Sequence, residues 1–218
     1  MSLFQRLRED CQEDWQSYVD HEFVRGLGDG SLSQAAFQDY LVQDYLFLIQ
    51  FARAYALAIY KGRSLNEMRG ALEGLKAILD VEMDLHIRLC DKWGLSANQL
   101  EATPEKGETV AYTRFVLDAG NAGDLLDLYV ALAPCMIGYG EIGAALSSKA
   151  TTDNPYAEWI NEYASADYQE LTQATIENLD ILASEMMTEA RYPRLKTLFG
   201  AATRLEASFW QMGMNAAS

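Results

Sequence analysis

The sequence is poor in histidine, cysteine and positive charge. Its 2 histidines, His21 and His86, are too few for a histidine-rich metal centre, and the repeated Glu-x-x-His spacing of di-iron bundles is missing. A haem or di-iron protein is therefore disfavoured. The 3 cysteines, Cys11, Cys90 and Cys135, are an odd number with no short spacing. That argues against a disulfide framework or a Cys-x-x-Cys metal site and points to a reducing compartment, the cytoplasm. With 17 Lys and Arg against 32 Asp and Glu the net charge is −15. Phosphate would be repelled, so neither nucleic acid nor an anionic membrane surface is expected as a partner, whereas a cationic ligand is allowed. No apolar run reaches the roughly 18 residues of a membrane span without polar breaks. The N-terminal MSLFQRLREDCQEDW is mixed in charge and has no signal-peptide core. Glycine-rich phosphate loops, GxSxG and HExxH are all absent.

What is present is helical periodicity. Half of the 218 residues are hydrophobic, enough for a sizeable core without staples. Phe4, Leu7, Cys11, Trp15 and Tyr18 step by three and four. Ser33 caps a long segment that Gly62 ends. Ser64 and Glu67 form a capping box for a helix running to about Trp93, stopped by Gly94. GLSANQLEATPEKGET is the longest polar connection. A shorter helical stretch around Tyr112 is broken by Gly120 and Gly123. A very apolar helix over Leu125–Leu146 is interrupted by Pro134. SKATTDNP is a loop with Pro155 at a helix start, Ser165 caps a further helix, and the last begins near Pro193. With no repeat, linker or strand alternation, the expectation is one all-α multi-helix bundle over residues 1–218. Gln34–Tyr60 and Leu125–Leu146 are apolar almost all round, so each is central or faces another subunit.

The informative positions are polar residues inside apolar stripes. Asp44 interrupts Phe37, Leu41, Leu48, Phe51 and Tyr55, and Glu206 interrupts Leu195, Leu198, Phe199, Ala202 and Phe209. Neither has a basic neighbour three or four residues away. A buried, unpartnered carboxylate costs several kcal/mol or keeps its proton. The readings are that each acid pairs with a distant Arg or Tyr, that it lies at the rim of its stripe, or that a ligand completes the site. Cys135 follows Pro134, which deletes a backbone hydrogen bond and can turn the thiol into a cavity; a lone buried cysteine also serves as a small hydrophobe. Gly138, Gly140 and Gly143 permit close helix approach or leave space beside the thiol. Tyr112, Tyr139 and Tyr163 lie in apolar stripes and are natural partners for buried carboxylates. Glu82 and His86, four apart, read more readily as a solvated or interhelix pair than as metal ligands.

Together these residues resemble the TenA family, the thiaminase II enzymes (aminopyrimidine aminohydrolases), along nearly the whole chain. QDYLFL at 43–48, VAYTRFVLDAG at 110–120, APCMIGYGEIG at 133–143, NPYAEWINEYAS at 154–165 and TRLEASFWQMG at 203–213 carry the likeness. PCxxGY and ExxFW, in order and correctly separated, are its specific parts. The resemblance implies the haem-oxygenase-like all-α fold, a homotetramer and no cofactor. It implies hydrolysis of 4-amino-5-aminomethyl-2-methylpyrimidine, and of thiamin to hydroxymethyl pyrimidine plus thiazole, for thiamin salvage. A cysteine in the PC motif places the chain in the cysteine-containing subclass. Carried over, Cys135 is the nucleophile on the pyrimidine ring and Glu206 the acid at a ring nitrogen. Asp44 holds the amino-substituted edge, Tyr112 and Tyr163 position the ring, and Tyr139 lies near the thiol. Phe47 stands where some relatives carry tyrosine, and Phe209 is a pocket wall. The alternative is a non-hydrolytic pyrimidine- or thiamin-binding, or regulatory, protein of the same fold.

Overall fold

In the computed structural model, which describes residues 1–148 and 153–216, the expected helical period is realised and no strand occurs among the described residues. The helices are α1 Leu3–Asp10, α2 Gln12–Val19, α3 Glu22–Asp29, α4 Gln34–Lys61 and α5 Leu65–Lys76, then a π-helical turn Ala77–Glu82 leading into α6 Met83–Lys92. There follow α7 Ala97–Ala102, α8 Gly107–Ala122, α9 Leu125–Ser147, α10 Ala157–Tyr163, α11 Ala166–Met186 and α12 Tyr192–Asn215.

Local chemistry sets most of the ends. Ser33 Oγ accepts from the Ala36 amide and Ser165 Oγ from the Tyr168 amide, each satisfying a donor that the first helical turn cannot. Ser64 caps α5 through the Glu67 amide, but Glu67 reaches back to the Arg63 amide, one residue before the box position. Gly94, at φ 80°, turns the chain after α6 in the left-handed region that favours glycine.

Several expectations are refined. The first stripe is entirely buried, yet Cys11 divides it between α1 and α2. The long polar connection contains α7. Helix α8 runs through Gly120 and ends at Gly123, because Gly120 faces Leu57 and Leu128 at a spacing that a Cβ would violate. Pro155 sits in the turn before α10 rather than in its first turn. Of the expected SKATTDNP loop, residues 149–152 lie outside the described residues.

Helix α9 is the centre of the bundle, packed by α8, α10, α11 and α12. By length and composition it could cross a membrane, but 94% of its most apolar window is buried inside the protein, which makes it a core helix. It continues unbroken through Pro134, whose carbonyl accepts from the Tyr18 hydroxyl at 3.2 Å. Its glycines serve close packing: a Cβ would come within 2.3 Å of the Tyr18 ring at Gly138, 2.3 Å of Thr172 Oγ1 at Gly140 and 2.5 Å of the Tyr163 backbone at Gly143.

Candidate active site

Helix α4 is apolar on most sides, so Asp44, only 4% exposed, needs compensating partners. It has two partners on the same oxygen. The Tyr40 hydroxyl donates to Oδ2 at 2.7 Å, and His86 Nε2 lies 2.5 Å from it. The Trp159 indole N–H in turn donates to the Tyr40 oxygen at 3.1 Å. His86, fully buried on α6, places Nδ1 2.8 Å from the Glu82 carbonyl. A carbonyl can only accept, so Nδ1 carries a hydrogen. A second proton therefore lies between Nε2 and Oδ2. Burial alone would lower the His86 pKa, but the charge and hydrogen bond of Asp44 outweigh it and raise the value. The basic partner that α4 lacks comes from a helix 42 residues further on, and the Glu82–His86 spacing is one edge of this interhelix pair. Neither bond uses Oδ1 of Asp44.

On the other side, α12 supplies Glu206, 2% exposed. Its Oε1 accepts from the Tyr112 hydroxyl of α8 at 2.8 Å. Burial is the largest influence and pushes its carboxyl from the ordinary 4.5 to about 8; the charge of Asp44 adds to this, while Tyr112 and the neighbouring Cys135 thiol oppose it. Cys135, buried on α9, is itself driven well above an ordinary thiol by burial and by Glu206, Glu82 and Asp44. The thiol is thus a protonated neighbour of an acid that exchanges its proton near neutrality.

Rings close the remaining sides. Phe47 lies 5.0 Å from Tyr112 and 5.6 Å from Phe209, and Phe209 meets Tyr40 edge-on at 6.2 Å between centroids. Tyr139, one turn beyond Cys135, meets Tyr163 at 4.9 Å and Trp210 at 5.3 Å. The indole N–H of Trp210 is buried with no hydrogen-bond partner. All eight residues singled out in the sequence thus belong to one neighbourhood built from α4, α8, α9, α10 and α12. Tyr40 and Trp159 join it without having been singled out, and His86, read from the sequence only as a solvated or interhelix partner of Glu82, pairs instead with Asp44. Among the described residues no three His, Cys, Asp or Glu side chains are grouped so as to hold a metal ion.

A cysteine beside a proton-exchanging carboxylic acid, among aromatic rings and under the influence of a second buried carboxylate, suits a flat, amino-substituted heterocycle. Comparison with known proteins points the same way. The chain is 41% identical over 217 residues to the aminopyrimidine aminohydrolase of Halalkalibacterium halodurans, covering 99% of this chain and 96% of that protein. A crystal structure from Silicibacter, described as a TenA family transcription regulator, superposes with a TM-score of 0.93 at 45% identity, covering 97% and 96% of the two chains. A Shewanella denitrificans domain with a heme oxygenase-like fold shares the architecture at a TM-score of 0.76 and 12% identity, covering 97% and 92%. The TENA/THI-4/PQQC family model matches residues 8–216, and the chain belongs to that family.

Proposed function

We propose that this protein is an aminopyrimidine aminohydrolase that converts 4-amino-5-aminomethyl-2-methylpyrimidine to the hydroxymethyl pyrimidine, and cleaves thiamin to the same product plus thiazole, with Cys135 as nucleophile. The observation that carries this reading is the Glu206 carboxyl, tuned to about 8 between Tyr112 and the Cys135 thiol. A pyrimidine is a poor electrophile until a ring nitrogen is protonated, and an acid with a pKa near neutrality both gives and takes protons efficiently.

The chemistry follows from the side chains. Burial denies Cys135 a standing thiolate, so its proton leaves as sulfur bonds to the ring carbon. Glu206 takes that proton and delivers one to the ring nitrogen, which leaves its own charge unchanged. Electrons returning from the de-aromatised ring expel the amine or thiazole from the methylene carbon. Water adds at that carbon and loses a proton. The ring nitrogen returns its proton through Glu206 as the sulfur departs. Asp44 Oδ1 accepts from the amino substituent and fixes the ring, while Tyr163 and Tyr139 position it beside the thiol. No step calls for a cofactor.

A cytoplasmic enzyme of thiamin salvage fits the three free, buried cysteines. A homotetramer would cover the exposed apolar side chains Leu65, Leu72, Leu79, Val81 and Ile87 of the segment from α5 to α6. Sedimentation of the purified chain checks this: a monomer at micromolar concentration removes the tetramer. For the activity, the protein is incubated with the aminomethyl pyrimidine and the hydroxymethyl product is followed by chromatography. Turnover is expected, and Cys135→Ser is expected to lower kcat by at least about a thousandfold. Undiminished turnover in that variant would remove the nucleophile, and an inert wild type would remove the activity.

A further inference from the structure

The π turn inverts the usual burial rule. Leu79 and Val81 point to solvent, whereas Glu82, 7% exposed, points inward. Such turns store an irregularity that is common at functional positions, and an inward carboxylate is costly without a purpose. Glu82 lines a cavity of about 260 Å³ between the π turn and the corner joining α10 to α11, shared with Glu162, Ser165, Asp167 and Tyr168. No Lys, Arg or His lines it. The Tyr168 hydroxyl, in a residue 6% exposed, is buried there without a hydrogen-bond partner. Burial pushes the Glu82 carboxyl up to about 7, against the opposing influences of His86 and the nearby Tyr168 hydroxyl.

The cavity adjoins the site. Tyr168 meets Tyr163 edge-on at 4.9 Å, and Tyr163 meets Tyr139 at 4.9 Å. The Cys135 thiol feels the Glu82 charge directly. The cavity thus holds three carboxylates, an aromatic ring and one phenol oxygen, behind the Tyr163–Tyr139 ring pair that flanks Cys135. That combination recognises a cation: carboxylates supply charge, the phenol accepts a hydrogen bond, and the ring face attracts positive charge.

Resting on the hydrolase reading, we propose that this cavity is the leaving-group subsite, where Glu82 and Tyr168 hold the positively charged nitrogen attached to the substrate's methylene carbon. In the aminomethyl pyrimidine that nitrogen is an ammonium, and in thiamin it belongs to the thiazolium. The product carries a neutral hydroxyl at the same position, so the subsite favours substrate over product.

The test is calorimetric, in a Cys135→Ser background that does not consume substrate. Dissociation constants are measured for the aminomethyl pyrimidine, thiamin and the hydroxymethyl pyrimidine, before and after adding Glu82→Gln or Tyr168→Phe. Both changes are nearly isosteric, and a thermal melt checks that each variant is folded. Glu82→Gln is expected to weaken a cationic ligand by at least about tenfold and the neutral product by less than about twofold. Tyr168→Phe is expected to weaken the same ligand by about threefold. A loss confined to the aminomethyl compound assigns the subsite to ammonium, and one confined to thiamin assigns it to the thiazolium; either supports the proposal. Equal losses for all three ligands, or none, overturn it and leave the hydrolase reading intact. A parent protein that binds none of the three overturns both.

Discussion

Asp44 and Glu206 occupy the same sequence context, an acid inside an aromatic stripe, and the structure treats them oppositely. Asp44 is paired on one oxygen with Tyr40 and with His86, a base from another helix. Glu206 has a phenol and a thiol beside it, neither of them a cation, and burial raises its carboxyl to about 8. The contrast separates two uses of a buried acid. One buried carboxylate is given a hydrogen-bonded basic partner from another helix. One meant to move protons is denied a counter-charge, so its two protonation states come close in energy near neutral pH.

Substitutions that exchange these two behaviours probe the contrast. Glu206→Gln keeps the shape and removes the exchangeable proton, so kcat is expected to fall by about 10²–10⁴-fold. In the wild type, kcat is expected to decline as pH rises through about 8, where Glu206 loses the proton it gives to the ring; steady-state rates across pH check both, and a residual alkaline limb in the glutamine variant assigns it to another group. His86→Ala acts on the other acid and on stability. It strands the Asp44 charge, 4% exposed, without a base, for which about 3–5 kcal/mol of unfolding free energy is expected to be lost in urea titrations. A loss below about 1 kcal/mol would mean that the His86–Asp44 pair contributes little.

The pH dependence of folding tests Glu206 again. Its folded pKa is raised, so stability is fully present below the unfolded value of 4.5. It is lost as pH rises towards about 8, because the unfolded chain releases the proton first. The Glu82 carboxyl adds a parallel loss that ends at about 7. Glu206→Gln is expected to flatten this slope by a few kcal/mol, read from melts between acid and neutral pH. The smallest expected effect lies in the packing behind the rings. Gly143→Ala would bring a Cβ to 2.5 Å from the Tyr163 backbone, and a cost of about 1–3 kcal/mol is expected, with a raised KM as Tyr163 shifts.

Helices and their ends were legible because they are local. Ser33, Ser165, Gly62 and Gly94 act within a turn of their own position, and a buried stripe repeats every three or four residues. The stretches that escaped were those where neighbours override the local rule. Gly120 reads as a helix breaker but is retained because Leu57 and Leu128 need the space. The π turn leaves no mark in composition, since it is a shift in hydrogen-bond register rather than a change of residue type. Asp44 and Glu206 were legible as anomalies, and motif resemblance gathered the candidate residues. The spacing could not supply the partners, because His86 stands 42 residues from Asp44 and Tyr112 stands 94 from Glu206.

By itself the sequence determined an acidic, all-helical chain with two acids set in apolar stripes and a thiol after a proline, because side-chain type and spacing along a helix are one-dimensional facts. Only the tertiary structure decided which acid is paired with a base and which has none beside it, and that the Glu82 carboxylate points inward. Those outcomes depend on which groups from other helices arrive within a few ångströms, and on how much water is excluded when they do.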